Sequence, residues 1–361
     1  MTPADRAADE NDADERRRSE ANLAEETVAD ARWFPLRYDL QNDAYHFVFI
    51  PAEVHRNIAF LNELKPARSE TRVISRAAVA ALIDSRPDKG ALHLILHSGL
   101  GGSTFVARAL GQPGTAVPLL EPPILNDVLG YGLRTSGPAM QSLLAEVTQL
   151  MARPHAAGEA VICKLSGIGN GVAGMMASVD SRSQILCLQN PLEQMLASFA
   201  ARGASGRMAG RQLLINLRNS RMSAFQMTDR QLLDHTDFQM AALGWLSIQK
   251  IMATTSESLG PDRAASLRSD QLLANTATAL AAVSSHFHLD LDIAECIARG
   301  VLDRHAKSGE PFDAQQRARK VAEALQLHHQ EIQPVVGWAR KIAQSAEIAW
   351  DLPYPLVAGP D

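Results

Sequence analysis

Three clusters of residues in this 361-residue chain have types and spacings suited to chemistry. The first is Gly99-Leu100-Gly101-Gly102-Ser103-Thr104. Glycines let a backbone curl until several N–H groups point inward, and a following helix adds the partial positive charge of its N-terminus. The run therefore predicts a loop that cradles a phosphate or sulfate; a plain strand-to-helix turn is the other reading. It is not an NTPase loop of the GxxxxGK[ST] type, because Gly102, not a lysine, precedes Ser103. The second cluster is Glu121 in LLEPP, eighteen residues beyond Ser103. A carboxylate at a strand end could take a proton from an acceptor hydroxyl, or merely cap the turn before two prolines. The third is the strand end Gln189-Asn190, with Pro191 opening a helix that presents Ser198 about two turns along.

These clusters need a scaffold, and the apolar pattern supplies one. Short runs at ALHLILH, TAVPLL, AVICKLS and SQILCLQ alternate with helical patterns over 103–110, MQSLLAEVTQLMAR, 172–179 and 191–201. Such alternation implies a parallel sheet buried on both faces. Ligands of these sheets sit at the carboxyl ends of strands, where the strand order reverses. The expected fold class is therefore α/β, a parallel β-sheet with helices on both faces (P-loop NTPase-like). A helical C-terminal half follows residue 205, interrupted by the short strand AASLRS before a helix over 272–286. Ahead of the sheet, WFPLRYDL and AYHFVFI read as extended, and 52–64 and 75–83 as short helices. The expected boundaries are a charged arm over 1–30, disordered or a frayed helix, a small N-terminal module over 31–88, the α/β domain over 89–350 and a tail over 351–361.

The order strand-xSGxxGST-helix, then Glu-Pro-Pro, then strand-xxNP-helix-Ser resembles the sulfotransferase family, which uses 3'-phosphoadenosine 5'-phosphosulfate (PAPS). The likeness spans about residues 91–320 and marks a divergent member with a P-loop-like fold. Asp270, Leu272, Phe287 and Leu289 fall in register with a later element of that family. RHAKSGEPFD, with Lys307 and Ser308, looks like its basic segment that closes over the 3'-phosphate. The resemblance implies metal-free transfer of a sulfuryl group from PAPS, the co-substrate, to a hydroxyl or amine. It further implies that Gly99, Leu100, Gly101, Gly102, Ser103 and Thr104 hold the phosphosulfate. Asn190, Ser198 and Lys307 would serve the 3'-phosphate side, and Glu121 would deprotonate the acceptor. Two positions depart from the family: Leu100 stands where its loop carries Lys or Arg, and Gln189 where an Arg grips the 3'-phosphate. Each lost cation removes a charge-assisted contact of about 1.5–3 kcal/mol. Lys164, at the end of the AVICKLS strand, is the leading replacement and the second catalytic candidate, ahead of His97, Arg108 and Lys307. Two other readings stand beside transfer: a binding or scaffolding protein on the same fold, and a nucleotide-dependent phosphotransferase.

Composition narrows the remaining classes. A net charge of −5 gives no global field for nucleic acid or an anionic membrane. Cys163, Cys187 and Cys296 are far apart in apolar contexts and read as buried thiols. The histidines show no metal-ligand spacing, and no GxSxG elbow is present. With no signal-like N-terminus and no long apolar run, a cytoplasmic protein is expected. Its expected partner is a small-molecule or protein acceptor, not nucleic acid or a membrane. Arg202, Arg207, Arg211, Arg218, Arg221 and Arg230, set against Asp229, read as a solvated face or as a basic patch for an anionic ligand.

Overall fold

The computed structural model describes residues 18–64, 69–83, 90–135, 137–298 and 314–358. Residues 18–29 form a helix, α1, that buries Ala24, Thr27 and Val28. This helix falls within the stretch expected to be a disordered or frayed helical arm, and its buried residues form an apolar stripe at helical spacing among the charged ones. An antiparallel sheet follows, in the order β1 (Trp33–Asp39), β2 (Ala44–Phe49), β3 (Thr71–Ser75). Between β2 and β3 lie α2 (Ala52–Asn57) and one 3₁₀ turn (Leu61–Glu63), where a single helix over 52–64 was expected. After β3 comes α3 (Arg76–Ile83).

The main sheet is built from β4 (Leu92–His97), β5 (Ala116–Leu120), β6 (Ala160–Lys164), β7 (Ile185–Gln189) and β8 (Ala264–Arg268). All its pairings are parallel, in the order β5-β6-β4-β7-β8. The connections carry α4 (Ser103–Leu110), α5 (Ile124–Gly132), α6 (Gly137–Met151), α7 (Ala173–Val179), α8 (Leu192–Ala200), α9 (Gly203–Asn219), α10 (Asp229–Leu233) and α11 (Asp237–Leu259). Beyond β8 come α12 (Ser269–Ala274), α13 (Thr276–His286), α14 (Ile293–Ala298), α15 (Ala314–Leu327) and α16 (His329–Ser345). The helix expected over 272–286 breaks at Asn275, whose side chain accepts from the Thr278 N–H and caps α13.

Both faces of β4 are buried, which is why its sequence is a continuous apolar run. Leu92, Leu94 and Leu96 pack with α5, α6 and α7, while Ile95 packs with α4 and α13. Each such side chain contributes about 1.5–3 kcal/mol by leaving water. α4 and α7 thus cover opposite faces, so the crevice where the connections diverge opens between the carboxyl ends of β4 and β6. A third cluster joins α8, α11, α15 and α16. Within the expected tail, residues 354–356 bridge to β8: Ser266 N–H donates to Tyr354 O at 2.8 Å, and Leu356 N–H to Ser266 O at 2.8 Å. Among the described residues, no helix is long and apolar enough to cross a membrane.

Candidate functional site

The glycine loop leaves β4 at its centre-sheet position. Gly99, Leu100 and Gly102 take φ values of 97°, 54° and 90°. Left-handed residues so close together turn successive amides toward one side, the geometry of an anion nest. Among the described residues, the N–H groups of Gly101, Gly102, Ser103 and Thr104 have no acceptor, and the Ser103 and Thr104 hydroxyls have no partner. Both hydroxyl residues are 5% exposed. A helix start always leaves amides over; here Gly102, Ser103 and Thr104 are such amides, and the Gly101 N–H of the preceding turn adds one more. Gly102 is required twice, because its φ is left-handed and a Cβ would lie 3.2 Å from Leu272 Cδ2.

Two buried asparagines hold this loop from the flanking strands. Asn190, just past β7, donates from Nδ2 to Gly99 O at 3.2 Å, and its backbone N–H donates to Ser98 Oγ at 2.7 Å. Ser269 Oγ donates to Asn190 Oδ1 at 2.9 Å, and Trp245 Nε1 to Asn190 O at 2.8 Å. Asn190 is therefore spent on shaping the loop. Asn170, in the glycine-rich run after β6, donates from Nδ2 to His97 O at 2.9 Å. Sequence reasoning missed Asn170; its signal was an asparagine between two glycines in LSGIGNG.

Glu121 and Lys164 meet at the ends of neighbouring strands. The register pairs Leu120 with Lys164, and the Glu121 N–H donates to Lys164 O at 2.9 Å. The Lys164 ammonium donates to Glu121 Oε1, with side-chain exposures of 2% for the lysine and 24% for the glutamate. Glu121 adopts φ 53°, a left-handed conformation costly for a side-chain-bearing residue. The Phe60 ring centre lies 5.5 Å from Lys164 Nζ. Neighbouring Cys163 offers no nucleophile: burial pushes its thiol up to about 12, outweighing the lowering by Lys164.

Leu100 and Gln189, where the resemblance leads one to expect cations, both face the C-terminal part of the chain. Leu100 packs against the cluster of α8, α11, α15 and α16. Gln189 Nε2 donates to Trp350 O at 2.7 Å, and Gln249 Nε2 reaches the same carbonyl at 2.9 Å. Ser198 Oγ donates to Gln194 O at 2.8 Å, within its own helix. Arg268, in register with Gln189, is a strand-end cation that sequence reasoning missed; it pairs with Asp270 at 2.7 Å and Asp351 at 3.6 Å. Burial alone would raise the Asp270 carboxyl, but its bonds to Arg268 hold it below the usual carboxylate range. Lys307 lies outside the described residues. In the arginine-rich stretch, Arg207, Arg211 and Arg218 pair with Glu331, Asp237 and Asp229 at 2.6, 3.0 and 2.7 Å. Among the described residues, no three His, Cys, Asp or Glu side chains are grouped to hold a metal.

No protein-family model matches the chain, and no curated protein matches it. Among solved structures it is similar to the sulfotransferase domain from the curacin biosynthetic pathway, with 14% identity and a TM-score of 0.43. That match covers 74% of this chain and 100% of the domain. It is also similar to the sulfotransferase domain from the Synechococcus PCC 7002 olefin synthase, at 13% identity and a TM-score of 0.39, over 74% and 98% of the two chains.

Proposed function

We propose that this chain transfers a sulfuryl group from PAPS to a hydroxyl or amine acceptor. The observation that carries the reading is the glycine loop. Four backbone amides and two hydroxyls without partners among the described residues lie in and just after it, at the end of β4, and the Glu121–Lys164 pair lies at the ends of β5 and β6 in the same sheet. These neutral donors suit the phosphosulfate end of the donor. The 3'-phosphate end has no such match at Gln189 and Ser198, whose side chains bond to the Trp350 and Gln194 carbonyls. PAPS, when bound, supplies the sulfuryl group. The amides of Gly101 to Thr104 would hold its anionic oxygens, where fixed donors in a dry site stabilise developing charge strongly. Glu121 Oε1 is engaged by Lys164, so Oε2 would receive the acceptor's proton. Lys164 offsets the carboxylate charge from the other side.

Binding without turnover is the second reading, and it is favoured by Leu100 packing against an apolar cluster and by the buried Gln189 side chain being spent on the Trp350 carbonyl. Calorimetry with 3'-phosphoadenosine 5'-phosphate, paired with a sulfuryl-transfer assay on phenol and amine acceptors, decides between them. Micromolar binding with transfer that Glu121→Gln abolishes supports the enzyme. Binding without transfer supports the second reading, and no binding at millimolar ligand overturns the PAPS assignment.

A further inference from the structure

We infer that the N-terminal module completes the site. Phe60 is a positioning residue that caps the Lys164 ammonium and keeps it on Glu121. The inference rests on the reading of Glu121 and Lys164 as the proton-handling pair. A lysine with 2% exposure needs favourable partners on more than one side of its ammonium. Glu121 provides one. The π face of Phe60, at 5.5 Å, provides another, and aromatic faces attract cations most when water is excluded.

Phe60 does not belong to the five-stranded sheet that carries the pair. It lies between α2 and the 3₁₀ turn Leu61–Glu63, in the segment joining β2 to β3. That segment is pinned from two sides by the elements that build the site. Arg108, in the last turn of α4, donates from Nη2 to Asn57 O at 2.5 Å, so the helix that begins at the glycine loop also anchors the approach to Phe60. Arg56 pairs with Glu159 at 2.6 Å, both almost fully buried, and Glu159 immediately precedes β6, the strand that ends in Lys164. Leu61, next to Phe60, is fully buried and fixes the turn. The cap therefore closes on the lysine and leaves the partly exposed Glu121 carboxylate as the face open to an acceptor. In this arrangement the acceptor meets the base, not the ammonium.

The test is trace labelling of lysines in the full chain with acetic anhydride, read by mass spectrometry. Exposed Lys250 serves as the reference, and alkylation of buried Cys163 reports opening of β6. Phe60→Ala is expected to raise Lys164 labelling about tenfold relative to Lys250 while Cys163 stays protected, the signature of a local opening. Phe60→Tyr, which keeps the ring, is expected to retain wild-type protection. Unchanged Lys164 labelling in Phe60→Ala overturns the inference. So does a rise that Cys163 shares in step, or an equal rise in Phe60→Tyr. If Phe60→Ala does not fold, Phe60→Leu replaces it, with a smaller expected rise and the same overturning results. Binding of 3'-phosphoadenosine 5'-phosphate is measured on the same proteins. A wild-type chain that fails to bind it refutes the donor assignment, while the labelling alone still judges the cap.

Discussion

Glu121 meets two demands with one carboxylate. In the proposed reaction it accepts a proton, and in the fold it is the ion-pair partner of a lysine with 2% exposure. Removing one member of a buried pair costs about 3–5 kcal/mol. Because Glu121 keeps 24% exposure, Glu121→Gln is expected at the low end, about 3 kcal/mol. Thermal unfolding of Glu121→Gln beside the double variant Glu121→Gln/Lys164→Met separates the roles. The double variant should recover most of the lost stability, since no charge is left behind, yet remain inactive in transfer. Equal melting of wild type and Glu121→Gln would mean that the pair contributes nothing to the fold.

The glycine loop is an element whose shape depends on its neighbours. Asn170 and Asn190 fix its entry, and α12 packs against its exit through Leu272. Its glycines are consequently unequal. A side chain at Gly102 meets Leu272 in a left-handed backbone, whereas a Cβ at Gly99 would have nothing within 4 Å. Gly102→Val is expected to cost about 1–3 kcal/mol in backbone strain alone and to abolish anion binding. Gly99→Ala shares the backbone strain, about 1–3 kcal/mol, but meets no neighbour and should leave binding within a few-fold. Denaturant midpoints and calorimetry on both variants check this; the reverse order would place the anion away from the helix start. Part of this element was legible in advance. Clustered glycines before Ser-Thr, after a run buried on both faces, leave little choice of local conformation. β3 was not legible, because Ile74 is its one buried residue and its pairing partner lies across the chain in β2.

At the scale of the whole molecule, a pair of histidines, His55 buried and His155 partly buried, lies beside the contact between α2 and the main sheet. His55 is fully buried, and its ring packs 5.3 Å from that of His155. Among the described residues, neither ring nitrogen of His55 has a hydrogen-bond partner. Burial, then the charges of His155 and Arg56, pushes His55 well below its ordinary value. Burial likewise lowers His155 and, on β4, His93 to about 4. Unfolded, each titrates near 6.5. Between pH 6.5 and 4 the unfolded chain therefore binds more protons, so the stabilisation is complete above that window and falls as pH drops through it. The slope is about 1.4 kcal/mol per pH unit for each histidine. Urea midpoints at pH 7.5, 6 and 5 should decline in that order, and His55→Leu should flatten the decline. A level profile for the wild-type chain would contradict the buried neutral state.

The sequence by itself determined the glycine loop, the parallel sheet and the residues at the ends of its strands. Backbone conformation and apolar periodicity are local properties, readable within a dozen residues. Tertiary structure decided what those strand-end side chains face. It joined Glu121 to Lys164 across 43 positions and Gln189 to Trp350 across 161. It also turned Leu100 into an apolar cluster and set Phe60 over the lysine. Whether a side chain meets a ligand or the core depends on what packs over it, and those packing partners lie far away in the chain.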